Sequence, residues 1–211
     1  MKVILGKKVG MTQIFTEEGV SIPVTVLEAA PSVITQVKTV KTDGYNAVQF
    51  GTVDAKESRV NKPLKGHFAK AKIAPKKYVA EVRIDNPKDF KLKQEITVSD
   101  FEVGKKVDVS GTSKGKGTQG PVKRHGHKIG PKSHGSKYHR GAGSLGASSY
   151  PARVFKGMKG AGRMGATTIT VQNIEVVKTI PEKNIILLKG AVPGPKGGML
   201  RIQEAVKAQN K

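Results

Sequence analysis

Hydrophobic and polar residues alternate along several short stretches of the chain, the period-two pattern of a β-strand with one buried face. Residues 9–15 and 20–27 show this alternation on either side of the polar, glycine-containing cluster 16–19, which predicts a β-hairpin. Residues 33–40 and 47–53 repeat the arrangement around a second turn-like cluster. Further strands are predicted at 78–84, 95–98, 106–109, 167–171 with 174–177, and 184–188.

The period changes between residues 61 and 72, where Leu64, Phe68 and Ala71 fall at helical spacing. Pro75 is expected to close this helix, so we place a small helical insertion at about residues 61–77. The pattern leaves open whether the insertion belongs with the strands or forms a separate lobe.

Short strands at close spacing, with glycine and proline in the turns, favour a small closed or partly open barrel. We therefore predict a mainly β fold with minor α content. Residues 1–110 and 166–211 would form the β-barrel domain, and residues 111–165 a long irregular internal loop.

Residues 109–174 differ sharply from the rest in composition. They hold twelve lysines and arginines, four of the five histidines, fourteen of the 25 glycines and no acidic residue. With so few apolar side chains, the segment cannot offset its own ordering entropy, so we expect it to be largely disordered until a partner orders it. A flexible linker is the alternative, but the lack of acids and the strands on both sides favour an anchored binding loop.

The net charge identifies the class of partner. Lysine and arginine outnumber aspartate and glutamate 38 to 16, which gives +22. Such an excess indicates a polyanion. There is no run of eighteen apolar residues, the N-terminus is too short in its apolar part for a signal peptide, and the basic region is too rich in glycine and proline for an amphipathic membrane helix. Nucleic acid is therefore favoured over a membrane.

The absence of two residue types limits the kinds of binding site that the chain can form. The chain has no cysteine, which excludes disulfides and thiolate metal sites, and a reducing cytosolic setting fits this. It has no tryptophan, and aromatic residues make up 5%. Recognition should therefore depend on phosphate contacts and shape more than on base stacking.

Two GxGxxG motifs, at residues 141–146 and 160–165, raise the alternative of a dinucleotide-dependent oxidoreductase. A dinucleotide site needs a strand before the motif and a helix after it. The first motif is soon followed by Pro151, and the second runs into a β-branched strand. Both lack the required context, and we predict neither a cofactor nor an enzyme.

The loop histidines do not favour a metal site either, because no cysteine or carboxylate lies near them to complete one or to orient a catalytic base. We expect them to stack on bases or to donate to phosphate and 2′-hydroxyl groups.

Lysines alternate with glycines across residues 111–120, where glycine lets the backbone approach a phosphate closely. Arginines further along can bind phosphate in a bidentate manner. An irregular loop suits the clefts of folded RNA better than a DNA major groove. The predicted RNA-binding residues are Lys114, Lys116, Lys123, Arg124, His125, His127, Lys128, Lys132, His134, Lys137, His139, Arg140, Arg153, Lys156, Lys159 and Arg163.

At these residues the chain resembles the family of universal large-subunit ribosomal protein three, in its bacterial form. The spaced pattern that carries the resemblance covers residues 101–124 and consists of Phe101, Asp108, Gly111, Ser113, Gly115, Lys116, Gly117, Gly120 and Arg124. Segments 4–13, 153–157 and 188–194 are also similar to the family, so the resemblance covers essentially the whole chain.

The resemblance implies a structural constituent of the large ribosomal subunit that binds 23S ribosomal RNA and supports early subunit assembly. It also implies a barrel of the type shared with translation factors, and a loop whose tip approaches the peptidyl transferase centre. Some bacterial members carry a methylated glutamine near this tip, but residues 146–151 contain none, so we do not expect that modification. The tip residues implied here are Gly143, Ser144, Leu145, Gly146, Ala147, Ser148, Ser149 and Tyr150.

We therefore predict a cytoplasmic protein of the ribosome, with 23S ribosomal RNA and neighbouring large-subunit proteins as partners. No small-molecule substrate, metal, membrane or homo-oligomer is predicted. The alternative is a free-standing RNA chaperone or architectural nucleic-acid-binding protein, which would use the same charge without a fixed binding site.

Overall fold

The computed structural model describes residues 2–209. Its strands are β1 Val3–Phe15, β2 Ser21–Glu28, β3 Ser32–Lys38, β4 Ala47–Asp54, β5 Lys76–Arg83, β6 Glu95–Ile96, β7 Lys106–Thr112, β8 Thr118–Gln119, β9 Gly162–Arg163, β10 Thr168–Ile180, β11 Ile185–Lys189 and β12 Met199–Glu204. Its helices are α1 Val40–Asp43, α2 Lys62–Ala71, α3 Pro121–His125 and α4 Val206–Gln209, and single 3-10 turns lie at Glu57–Arg59, Pro87–Asp89, Val98–Asp100 and Pro181–Lys183. These elements confirm the mainly β class with minor helix.

Six strands close into a barrel in the order β1-β12-β7-β10-β11-β2, and every neighbouring pair is antiparallel. Closure leaves none of these six strands with an unpaired edge. The predicted hairpin is confirmed as β1 and β2, although β1 begins earlier than the alternation indicated. Strand β12 was not predicted.

The barrel interior is built by alternate residues, as the period of a strand requires. The buried pairs are Val107 and Val109 on β7, Ile174 and Val176 on β10, Ile186 and Leu188 on β11, and Leu200 and Ile202 on β12. The same core cluster continues to Ile34 on β3 and Val48 on β4, outside the barrel.

The expectation that the strands of residues 1–110 all belong to one barrel was wrong. Strands β3 to β6 form a second, four-stranded sheet in the order β5-β4-β3-β6. The reason is that β2 is already paired on both sides, with β1 and with β11, so the chain that follows it has no free barrel edge to join.

Helix α2 lies where the helical spacing placed it. The Asn61 side chain accepts a hydrogen bond from the Leu64 backbone N–H at 3.0 Å, which caps the first turn. Phe68 and Ala71 are buried as predicted, but Leu64 is 48% exposed. The helix ends at Ala71, and Lys72, which follows it, adopts the left-handed conformation, so Pro75 does not terminate the helix. None of the helices in residues 2–209 is long and apolar enough to cross a membrane.

The chain separates into two compact units. One comprises Met1–Thr112 and Thr168–Lys211, and the other Ser113–Thr167. Helix α2 lies in the unit that contains the barrel, which answers the question that the sequence left open; residues 76 and 77 of the predicted insertion belong to strand β5.

The acid-free segment, residues 109–174, extends beyond the unit Ser113–Thr167 at both ends. Residues 109–112 and 168–174 lie in the paired strands β7 and β10, so the expectation of disorder was wrong for them. Gly111 also has a packing role, because a Cβ there would lie 2.3 Å from Leu200 Cδ2. Gly111 therefore belongs to the barrel wall and is not one of the glycines that let the backbone approach phosphate in the sequence-based prediction.

A buried aliphatic residue of the barrel provides a direct test of the core. Leu188 is fully buried, so we expect Leu188→Ala to lower the free energy of unfolding by about 2–5 kcal/mol. The same change at Leu92, which is 52% exposed, should alter it by less than about 0.5 kcal/mol. Denaturant titration of both variants measures the difference, and equal effects would contradict the assignment of Leu188 to the core.

A second test uses an ion pair on the four-stranded sheet. Lys38 Nζ lies 2.5 Å from Glu81 Oε2 and donates to Tyr45 Oη at 2.9 Å. The hydrogen bond from Lys38 holds the pKa of Glu81 below its ordinary value, and the bond to Glu81 raises the pKa of Lys38. A carboxyl with a lowered pKa stabilises the folded state above its unfolded pKa and loses that contribution as the pH falls through its folded pKa.

We therefore expect Glu81→Gln to be less stable than the natural chain at neutral pH. The difference in stability between the two proteins should disappear as the pH falls below the ordinary glutamate pKa of about 4.3. Thermal unfolding over this range measures it, with Glu17→Gln in the exposed β1–β2 turn as the control. A difference in stability that stays constant at pH values well below about 4.3 would show that the ion pair is not its cause.

Candidate nucleic-acid interface

The predicted RNA-binding residues all lie within Ser113–Thr167, a unit with twelve lysines and arginines and no acidic residue. Fifteen of the sixteen predicted side chains are exposed, and the exception, His127, is half-buried. All eight predicted tip residues are exposed as well. The cations are therefore accessible to a polyanion, with no carboxylate of their own unit to neutralise them.

The two ends of this unit pair to form a short neck. Strands β8 and β9 are antiparallel, with Thr118 opposite Arg163. Beyond them, the Lys116 N–H donates to the Met164 carbonyl at 2.9 Å and the Ser113 N–H to the Thr167 carbonyl at 2.9 Å. The neck brings Lys114, Lys116 and Arg163 together, although Lys116 and Arg163 lie 47 positions apart in the sequence.

Gly165 allows the neck to close. Its φ of +75° lies in the left-handed region, and a Cβ there would lie 2.2 Å from the Lys114 carbonyl oxygen. The GxGxxG motif that contains Gly165 reveals neither its left-handed conformation nor its close approach to the Lys114 carbonyl. The motif therefore has a structural explanation that involves no dinucleotide.

Helix α3 follows β8 and carries three basic residues in its last turn, Lys123, Arg124 and His125. Arg124 Nη1 donates to the Gly160 carbonyl at 3.1 Å, and His125 Nε2 lies 3.1 Å from the same oxygen. A Cβ at Gly162 would lie 2.5 Å from Arg124 Nη1, so the guanidinium lies directly on this glycine. Two predicted RNA-binding residues thus also hold the returning chain in place.

His139 has a similar contact. Its Nδ1 lies 3.0 Å from the Pro131 carbonyl oxygen. Because a carbonyl can only accept, this nitrogen of His139 carries a hydrogen, as Nε2 of His125 does. The other ring nitrogen of each remains for a partner. The described residues contain no group of three His, Cys, Asp or Glu side chains that could hold a metal ion.

Tyr138 organises the middle of the unit in a way that the sequence did not indicate. Its hydroxyl donates to the Gly141 carbonyl at 2.8 Å. A Cβ at Gly141 would lie 2.4 Å from the ring, and a Cβ at Gly130 would lie 2.0 Å from the Tyr138 carbonyl oxygen. These two glycines make room for a tyrosine, and no local pattern could have shown it because residues 130 and 138 meet only through the chain reversal.

The predicted tip contains an open groove lined by Leu145, Gly146, Ala147, Ser148, Ala152, Arg153 and Val154. The Ser144 hydroxyl is within hydrogen-bond distance of both the N–H and the carbonyl of Gly146, at 3.3 and 3.2 Å. The Tyr150–Pro151 peptide bond is cis. Arg153 places its guanidinium 5.7 Å from the centre of the Phe155 ring.

This unit has no apolar core. Between residues 113 and 167 only Pro121 is buried, and no member of either core cluster lies there. Its larger apolar side chains are instead exposed, namely Ile129, Tyr138, Leu145, Tyr150, Val154, Phe155 and Met158. Rings as accessible as Tyr150, at 89%, are available for stacking on bases. Tyr138 and Phe155 were not predicted to bind RNA, because aromatic residues are scarce in the chain as a whole.

Comparison with known proteins covers both units. A profile of the family described as Ribosomal protein L3 matches residues 79–182. The Large ribosomal subunit protein uL3 of Carboxydothermus hydrogenoformans is 58% identical over 208 residues, 99% of this chain and 99% of that protein. Proteins with the same name from Finegoldia magna and Streptococcus mutans are 54% identical over 209 residues and 59% over 207, covering 99% and 98% of this chain and 100% and 98% of theirs.

The neck offers a matched pair of glycine substitutions. Gly165→Ala forces a side chain into the left-handed region, which costs about 1–2 kcal/mol, and against the Lys114 carbonyl. Gly115→Ala meets nothing within 4 Å. We expect the first to weaken binding to structured RNA by about 5- to 30-fold and the second to leave it unchanged, as measured by filter binding. Equal affinities would show that the neck conformation is not needed for binding.

Proposed function

The chain belongs to the ribosomal protein L3 family, whose members are structural proteins and not enzymes, and on this premise we propose that it is an RNA-binding structural constituent of the large ribosomal subunit. The observation that carries the proposal is the unit Ser113–Thr167, which has twelve cations, no acid and no core. We take its partner to be 23S ribosomal RNA, bound directly.

The predicted RNA-binding residues divide into two groups according to their contacts within the unit. Arg124, His125 and His139 each contact a carbonyl of the unit. Lysines such as Lys123 and Lys128 are exposed and have no side-chain partner among the described residues. The first group fixes the shape of the unit at the RNA surface, and the second supplies phosphate contacts. If about eight of the twelve cations reach phosphate, log Kobs should fall with log salt with a slope of about −6 or steeper.

The absent core supports a role in early assembly. A unit that buries almost no apolar surface gains little free energy from folding alone, so RNA contacts supply most of what orders it. RNA binding and ordering of the unit are then a single event, in which the RNA around it also becomes fixed. On the family resemblance, the tip at residues 143–150 approaches the peptidyl transferase centre without taking part in chemistry.

The proposed ribosomal partner also implies where in the cell the protein acts. A constituent of the large subunit acts in the cytoplasm, within the ribosome, with other large-subunit proteins as neighbours. The rival is a free-standing RNA chaperone, which the same charge would suit. A chaperone held only by electrostatics leaves the RNA when salt screens its charges, whereas a constituent is retained by shape as well.

Deletion of residues 136–156 tests this function. It removes the predicted tip but keeps the neck and α3, so we expect the barrel to fold and large-subunit assembly to fail or slow. The matched control replaces the same residues with a glycine-serine linker of equal length, which keeps the reach of the loop and removes its cations and rings. Sucrose-gradient sedimentation of subunits measures assembly in both.

The natural chain should stay with large subunits through a high-salt wash. Its release by the wash would favour the chaperone. Normal assembly with the glycine-serine linker would show that the loop acts only as a spacer.

A further inference from the structure

A second concentration of positive charge lies in the unit that contains the barrel. Residues 56–77 hold eight lysines and arginines but a single acidic residue, Glu57. They comprise the 3-10 turn Glu57–Arg59, helix α2 and the first residues of β5. Seven of the eight cations are exposed, namely Lys56, Arg59, Lys62, Lys65, Lys70, Lys72 and Lys77. Eight cations in 22 residues is a higher density than the twelve in the 55 residues of the unit Ser113–Thr167, and this region does have a core.

Most of these cations are not neutralised by the protein itself. Lys76 pairs with Asp54 at 2.7 Å, and Lys77 lies 5.1 Å from the centre of the Tyr78 ring. The other six form no side-chain hydrogen bond or ion pair within residues 2–209. Unneutralised charges of one sign repel one another, which raises the free energy of the free protein and favours an anionic partner.

Helix α2 displays the cations in a defined arrangement. Its buried side carries Phe68 and Ala71. At about 100° per residue, Lys62, Gly66 and Ala69 fall on the opposite side, with Lys65 and Lys70 on either flank. A Cβ at Gly66 would meet nothing within 4 Å, so the centre of this outward face is open. Lys62 lies on this face at the start of the helix, Lys65 and Lys70 lie at its two edges, and no side chain extends from Gly66 between them.

This shape and charge identify the occupant. A protein interface would need larger apolar or aromatic groups at its centre, and a membrane surface would need an apolar face. The one large apolar residue exposed on the helix, Leu64, falls on the side of Phe68 and Ala71. An RNA double helix has a wide, shallow minor groove with a phosphate strand along each edge, which suits a low face with a lysine at either edge.

We propose that residues 56–72 form a second RNA-binding surface, which contacts the phosphates of a double-stranded RNA segment through Lys62, Lys65 and Lys70. Its natural source is ribosomal RNA, and in this respect alone the proposal rests on the proposed function. The surface is stabilised by the folded unit behind it, so it is formed before RNA arrives, unlike the loop.

The test compares three triple variants of the full chain on protein-free 23S ribosomal RNA. The helix variant carries Lys62→Gln, Lys65→Gln and Lys70→Gln. The loop variant carries Lys114→Gln, Lys116→Gln and Lys123→Gln. The control variant carries Lys41→Gln, Lys88→Gln and Lys183→Gln, which replace three exposed lysines that each lie within two residues of an acid. All three remove the same charge, and circular dichroism verifies the fold of each.

The readout is the slope of log Kobs against log salt. Three lost phosphate contacts should reduce the magnitude of the slope by about 2–3 in the helix variant and leave the control unchanged. A helix variant that matches the control, beside a weakened loop variant, would overturn this surface and leave the proposed function standing. If the loop variant also matches the control, the proposed function falls with it.

Crosslinking then identifies what lies on the face. The chain has no cysteine, so Ala69→Cys offers a single attachment point for a photoactivated crosslinker at the centre of the helix face. Glu17→Cys in the β1–β2 turn is the control. In intact large subunits the residue 69 probe should attach to RNA more strongly than the control does. Attachment to protein alone, or to nothing, would overturn the proposal.

Discussion

The antiparallel pairing of β7 with β10 is the contact on which the rest of the structure depends. These strands lead into and out of the cationic unit, and their register runs from Lys106 opposite Glu175 to Thr112 opposite Thr168. Each is also paired on its other side, β7 with β12 and β10 with β11. Two chain ends more than fifty residues apart are thereby fixed side by side. Without this closure the two ends of the basic segment could move apart, and the segment would have more entropy to lose on binding.

Apolar burial and positive charge are separated along the chain, and this separation explains why the two proposed RNA-binding surfaces differ. The barrel and the four-stranded sheet share a core that extends from Ile4 to Ile202, so helix α2 can display lysines on a surface that is already formed. The unit Ser113–Thr167 has charges without a core, and its shape is held by a few hydrogen bonds such as Arg124 to Gly160. The first proposed surface is supported by buried apolar residues, and the second is not.

Local patterns in the sequence predicted local structure well. The hairpin of β1 and β2 needed only alternation and a turn, and α2 needed only helical spacing. Pairing between distant strands was not predictable in this way, since nothing in β3 shows that both edges of β2 are occupied. The cationic residues were found because charge can be counted from composition. The contacts of Tyr138 with Gly130 and Gly141 could not be found, because they arise only when the chain folds back on itself.

The four-stranded sheet has open edges, unlike the barrel, and its composition there limits self-association. One edge is β6, only two residues long, and the other is β5, whose eight residues include Lys76, Lys77 and Arg83. A short edge and a charged edge both discourage strand addition from another chain. On the proposed function, the basic residues that would bind RNA also protect the free protein from aggregation before it meets its RNA. Resistance to aggregation and affinity for RNA would then have the same cause, which is the excess of lysine and arginine.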